Sequence, residues 1–95
     1  MKLTDDYIVM IFWKSYWHQE DIHTLASTLI KHLEGAEITE NIIGADRINV
    51  RFCFKHGYFV LNFESYSQSC WIEAEDKSSE VLTAQIAQYI TSITP

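Results

Sequence analysis

Ninety-five residues, 47% of them apolar, make one folded domain over residues 1–95 and exclude a disordered chain. Thirteen Asp and Glu against seven Lys and Arg leave a net charge of -6. That balance argues against nucleic acid, whose binders neutralise phosphates with Lys and Arg, and favours a basic protein partner if it favours any.

The first element is the run YIVMIFW, Tyr7–Trp13. A strand with one buried face alternates apolar and polar residues; this one is apolar on both faces. Tyr7, Val9, Ile11 and Trp13 share one side, and Ile8, Met10 and Phe12 the other. It is far shorter than the roughly 20 residues a membrane helix needs. Acids rather than bases precede it in MKLTDDY, so it does not resemble a secretory leader. With only two cysteines as well, the expectation is a reduced, cytoplasmic protein without a membrane segment.

Residues 18–34 form a helix. Ile22, Leu25, Ala26, Leu29 and Leu33 make one apolar stripe at helical spacing. Glu20 and Asp21 suit the positive end of the helix dipole, and Asp21 can return a hydrogen bond to His18 as a capping box does. Gly35 stops the helix in a left-handed conformation.

A weaker strand follows over 36–43, with Ile38, Glu40 and Ile42 directed to the core, and it returns through Gly44-Ala45-Asp46. Residues 47–55 alternate, with Ile48, Val50, Phe52 and Phe54 inward. A hairpin at His56-Gly57 then pairs Lys55 with Tyr58, Phe54 with Phe59, Phe52 with Leu61 and Val50 with Phe63. After a turn near Tyr66-Ser67-Gln68, the strand CWIEAE places Cys70, Ile72 and Ala74 inward, with Phe63 opposite Ile72. The closing helix covers 78–92, capped from Asp76, Ser78 or Ser79 and striped by Leu82, Ile86, Tyr89, Ile90 and Ile93.

The order β-α-β-β-β-β-α predicts an α+β two-layer sandwich: a five-stranded, mainly antiparallel sheet with two helices on one face. Tight turns join the last four strands, so the first must lie at an edge, and antiparallel pairing puts it beside the last. An apolar edge strand is an aggregation template unless something covers it. The expected cover is a second copy of the chain or another protein, meeting the first strand or the outer sheet face at Tyr7, Val9, Ile11, Trp13 and Trp71. The alternative is cover from the same chain, by Tyr16, Trp17 or the C-terminal tail. The function expected is a non-enzymatic interaction module, homodimeric by this argument.

Chemistry has weaker candidates. His18, His23, His32 and His56 lack the i, i+3 or i, i+4 spacing of a shared metal site, so no metal and no cofactor is expected. Cys53 falls on the outer face and Cys70 on the inner, so they should not bridge. Glu73, Glu75 and Asp76 read as a solvated charge cluster. The loop Tyr66, Ser67, Gln68 and Ser69 is a possible ligand loop, for a small-ligand binder or enzyme with a pocket near Tyr66–Trp71; against this stands a turn that satisfies its own backbone. Arg47, Arg51 and Lys55 in an outward row, with Tyr58, make a possible single-strand nucleic-acid face, which Glu64, Glu73 and Glu75 would neutralise.

The segment FVLNFESYSQSCWIEAED, residues 59–76, resembles the central part of a family of short bacterial proteins known only as a domain of unknown function. An F/L-rich strand, a Tyr-Ser turn and a Trp-Ile/Leu-Glu strand carry the resemblance. It implies a small cytoplasmic α+β protein and supplies no catalytic residues.

Overall fold

The computed structural model describes residues 2–3 and 7–91. Its elements are β1 (Lys2–Leu3), β2 (Ile8–Met10), α1 (Ile22–Lys31), β3 (Glu37–Ile43), β4 (Arg47–Phe54), β5 (Gly57–Glu64), β6 (Ser69–Ala74) and α2 (Thr83–Thr91). The sheet runs β1-β2-β6-β5-β4-β3 and is antiparallel at every junction. The five expected strands are thus present in the expected order, with the first beside the last.

One core lies between sheet and helices. Val9, Ile11, Val50, Phe52, Phe54, Phe59, Leu61, Phe63, Cys70 and Ile72 enter it from the sheet. Ile22, Ala26, Leu29, Ile30 and Leu33 enter it from α1 and its end, and Ile86 and Ile90 from α2. Burial of these aliphatic and aromatic side chains is what holds the two layers together.

Both helices start as the sequence implies, each through a short 3-10 turn. Before α1 that turn is Gln19–Asp21, and the His18 amide donates to Asp21 Oδ2 at 2.8 Å. Before α2 it is Lys77–Leu82; the Ser79 amide and hydroxyl donate to Asp76 Oδ1 at 2.9 and 2.6 Å. The buried Ser79 hydroxyl also accepts the Tyr58 amide at 2.9 Å, tying the helix start to β5. Gly35 ends the first helical region at φ +82°. Of the expected α2 stripe, Ile93 lies outside the described residues.

Four expectations are corrected. First, β2 is not an edge. The two-residue strand β1 pairs with it, Lys2 opposite Met10 and Leu3 opposite Val9, so β2 lies between two neighbours of its own chain. Second, both later hairpins sit two residues away from the expected register. Phe54 faces Gly57, Phe52 faces Phe59, Val50 faces Leu61, and Phe63 faces Cys70. The turn residues are Lys55 and His56, at φ 48° and 68°, the doubly left-handed geometry that suits a two-residue hairpin. A two-residue slip keeps every side chain on its face, so apolar matching alone could not detect it. Third, Glu40 and Ile42 point away from the helices, opposite Arg51 and Asn49, because the register shifts between Ile38 and Glu40. Fourth, Val9 and Ile11 are core residues and Trp13 packs against the core, so the first two cannot serve as interface anchors.

Candidate functional site

The helices cover one face of the sheet, and on the other two rows of outward side chains cross five strands. One row is Ile42, Asn49, Asn62, Trp71 and Met10; the next is Glu40, Arg51, Val60, Glu73 and Ile8. The two-residue change of register thus sets Arg51 beside Val60 and Glu73, and Asn49 beside Asn62 and Trp71.

A polar network occupies the middle of this face. Asn62 is only 3% exposed although no helix covers it. Its Oδ1 accepts from Asn49 Nδ2 in a short bond. Its Nδ2 is directed to Glu73 Oε1 at 3.2 Å, to Val60 O at 3.3 Å and to Trp71 O at 3.5 Å. A buried amide with these partners avoids the penalty of an unsatisfied polar group. Beside it, Arg51 makes a two-pronged contact with Glu75, Nε to Oε1 at 2.7 Å and Nη2 to Oε2 at 2.5 Å, and reaches Glu40 with Nη1 at 2.8 Å. These bonds hold the Glu75 carboxyl below its ordinary pKa and raise that of the guanidinium. Met10, Ile8, Val60 and Trp71, all half-buried, flank the network on the N-terminal side. Phe12, 57% exposed, continues the Ile8 and Met10 alternation past the end of β2.

The possible nucleic-acid row does not assemble. Arg51 is held between two carboxylates, and Lys55 sits in the turn with Nζ 5.4 Å from the Phe54 ring centroid and 5.6 Å from that of Tyr89. Arg47 and Tyr58 are exposed at opposite ends of the β4–β5 hairpin.

The loop from Tyr66 to Ser69 is occupied by its own hydrogen bonds. The Ser67 hydroxyl donates to Glu64 Oε2 at 2.8 Å and lies 2.7 Å from that of Ser69, while Tyr66 points to solvent at 90% exposure. The Gln68 side chain does something the sequence did not suggest. Its Oε1 accepts the Trp17 amide at 3.0 Å and its Nε2 donates to the Trp17 carbonyl at 2.9 Å, as a neighbouring strand would. Gln68 and the Trp13–Trp17 segment border a hollow of about 260 Å³, and a second lies between that segment and α1. Trp13, Lys14, Tyr16 and Trp17, with Thr24 and Leu25 of α1, border a space of about 360 Å³.

The cysteines are free and lie on opposite faces. Burial pushes the Cys70 thiol up to about 12, so it is a neutral core group. The buried Trp13 indole N–H makes no hydrogen bond; its nearness offsets part of the effect of burial on the Cys70 thiol. Asp76 is held below its ordinary range by the Ser79 and Ser78 hydroxyls. The acidic cluster thus divides into three separate tasks: Glu73 on Asn62, Glu75 on Arg51, Asp76 at the helix start.

Residues 2–94 match the family described as Protein of unknown function (DUF3630). The chain belongs to that family. The DUF3630 match spans nearly the whole chain, where the sequence resemblance rested on residues 59–76 alone. No curated protein and no solved structure matches this DUF3630 chain. Among its described residues no three His, Cys, Asp or Glu side chains gather as a metal site, and no helix is long and apolar enough to cross a membrane.

Proposed function

We propose that the chain is a non-enzymatic interaction module that pairs with a second copy through the outer face of its sheet. The observation that carries this reading is the apolar strip Ile8, Met10, Phe12, Val60 and Trp71 on the face that no helix covers. Five strands at about 4.8 Å spacing and some six residues of length give a face of about 500 Å². Two copies would bury roughly 1,000 Å², the lower limit for a specific interface. The first-strand anchors Tyr7, Val9, Ile11 and Trp13 give way to Met10 and Phe12, while Trp71 is retained.

Sedimentation of the chain at micromolar concentration should give a dimer mass. Phe12→Glu should weaken that dimer at least about tenfold while leaving a monomer with the far-ultraviolet circular dichroism of the folded chain. A wild-type chain that stays monomeric at high micromolar concentration removes the reading.

Small-ligand binding is a second reading, favoured by the Trp13–Trp17 hollow. An aromatic sulfonate dye that brightens with the native chain, and does so less with Leu25→Arg, would support it.

A further inference from the structure

The two edges of the sheet differ. β1 seals the N-terminal side, whereas β3 ends the other side, and every residue from Glu37 to Ile43 is exposed. Edges are ordinarily guarded by charged side chains, lysine above all, or by proline, shortness or a bulge, and the charges of β3 are the carboxylates of Glu37 and Glu40. β3 has neither lysine nor proline, and its one irregularity, between Ile38 and Glu40, leaves Glu40 to Ile43 in regular register with β4. The Gly44 amide donates to Arg47 O at 2.7 Å. Antiparallel alternation then turns the backbone groups of Asn41 and Ile43 outward, away from β4.

The side chains of Asn41 and Ile43 lie on the helix side of the sheet, opposite Val50 and Ile48. There, with Ile22 and Glu20, these four border a hollow of about 350 Å³ between the start of α1 and the sheet edge. Ile43 is 72% exposed at its rim. On the opposite face of the strand stand Glu37, Glu40, which Arg51 already holds at 2.8 Å, and the exposed Ile42. An added strand would therefore meet a hollow with aliphatic walls at Ile22, Ile43, Ile48 and Val50 on one side, and Glu37, Glu40 and Ile42 on the other.

We propose that β3 takes up an extended segment of another protein as a further strand, with aliphatic residues facing the hollow and Lys or Arg facing Glu37 and Glu40. Main-chain bonds to Asn41 and Ile43 supply the attachment, and the alternating side chains supply selectivity. A second copy fits less well, because it brings the same acidic strand and a net charge of -6. The site shares Glu37 and Glu40 with the outer face but takes its main-chain bonds and its hollow from the edge, so a monomeric chain would leave the proposal standing.

The test uses a fluorescein-labelled heptapeptide that alternates Lys and Val, against one of the same composition with the valines contiguous. Fluorescence anisotropy should show the alternating peptide binding at least about tenfold more tightly. The Asn41 and Ile43 amides should gain protection from hydrogen exchange. Ile43→Lys places a charge at the hollow and should abolish the preference. Asn41→Pro removes an outward N–H without breaking a bond to β4, and should weaken binding to a similar degree. Equal binding of the two peptides, or protection confined to other strands, overturns the proposal. So does a change in the mass of the unliganded chain on Asn41→Pro, which would show the edge joining copies of itself.

Discussion

Gly57 and Gly35 are glycine for different physical reasons, and substitution separates them. A Cβ on Gly57 would stand 2.8 Å from Leu82 Cδ1 and 2.9 Å from the Phe59 ring, so this glycine admits close packing. Gly35 has open space around it but needs its φ of +82°. Gly57→Ala should cost about 1–3 kcal/mol by overpacking, and Gly35→Ala about 1 kcal/mol by backbone strain, both measured from urea midpoints. The sequence pointed to a hairpin near Gly57 but not to this reason, which depends on a leucine from a later helix. Glu75 and Asp76 both titrate below their ordinary values in the folded chain. A depressed carboxyl stabilises the fold above its unfolded pKa of about 4, and that contribution is lost as pH falls through the folded value. Stability should therefore drop below about pH 4, and Asp76→Asn should flatten the dependence; an unchanged acid-unfolding curve would argue against the Asp76 cap. Cys70, buried and neutral, should resist a thiol reagent in the native chain and react fully in denaturant, whereas half-exposed Cys53 should react in both.

Elements were legible where their periodicity was strong. The stripe of α1, its Asp21 cap and the alternation of β4 each determine a local conformation, and each is found. What the pattern did not contain was the choice between registers that preserve facing. Phe52 meets Phe59 rather than Leu61, and both pairings are apolar. The decision lies in the turn, where Lys55 and His56 both adopt left-handed conformations that neither residue prefers. His56→Gly should accordingly stabilise the hairpin by roughly 0.5–1 kcal/mol, seen as a higher urea midpoint at constant slope. A loss of stability would mean that the His56 side chain contributes something its exposure conceals. Gln68 was unreadable for a related reason: its amide replaces a strand partner for Trp17, a contact across 51 positions that no local pattern records.

At the scale of the molecule, the question raised by Tyr7–Trp13 has an answer the composition hid. Lys2–Leu3 is too short to show as a strand in a sequence, yet it pairs along β2 and closes the side expected to be open. A chain lacking residues 1–6 should aggregate at concentrations where the full chain stays dispersed, read by turbidity and light scattering. If the shortened chain remains equally soluble and stable, β1 provides no useful cover. The exposed flank of the sheet is instead β3, whose Ile38 keeps the expected face while Ile42 turns outward. For the outer face, the sequence named Trp71 but misassigned its companions, because the apolar run allowed either set of alternate residues to face inward.

Strand order also sets a schedule. β2 hydrogen-bonds to β6, with Val9 opposite Ile72, so one half of that ladder leaves the ribosome roughly 60 residues ahead of the other, on the order of 3–12 s at ordinary rates of synthesis. Through that interval the greasiest ribbon of the nascent chain has only β1 for company, and its second flank waits for a strand not yet made.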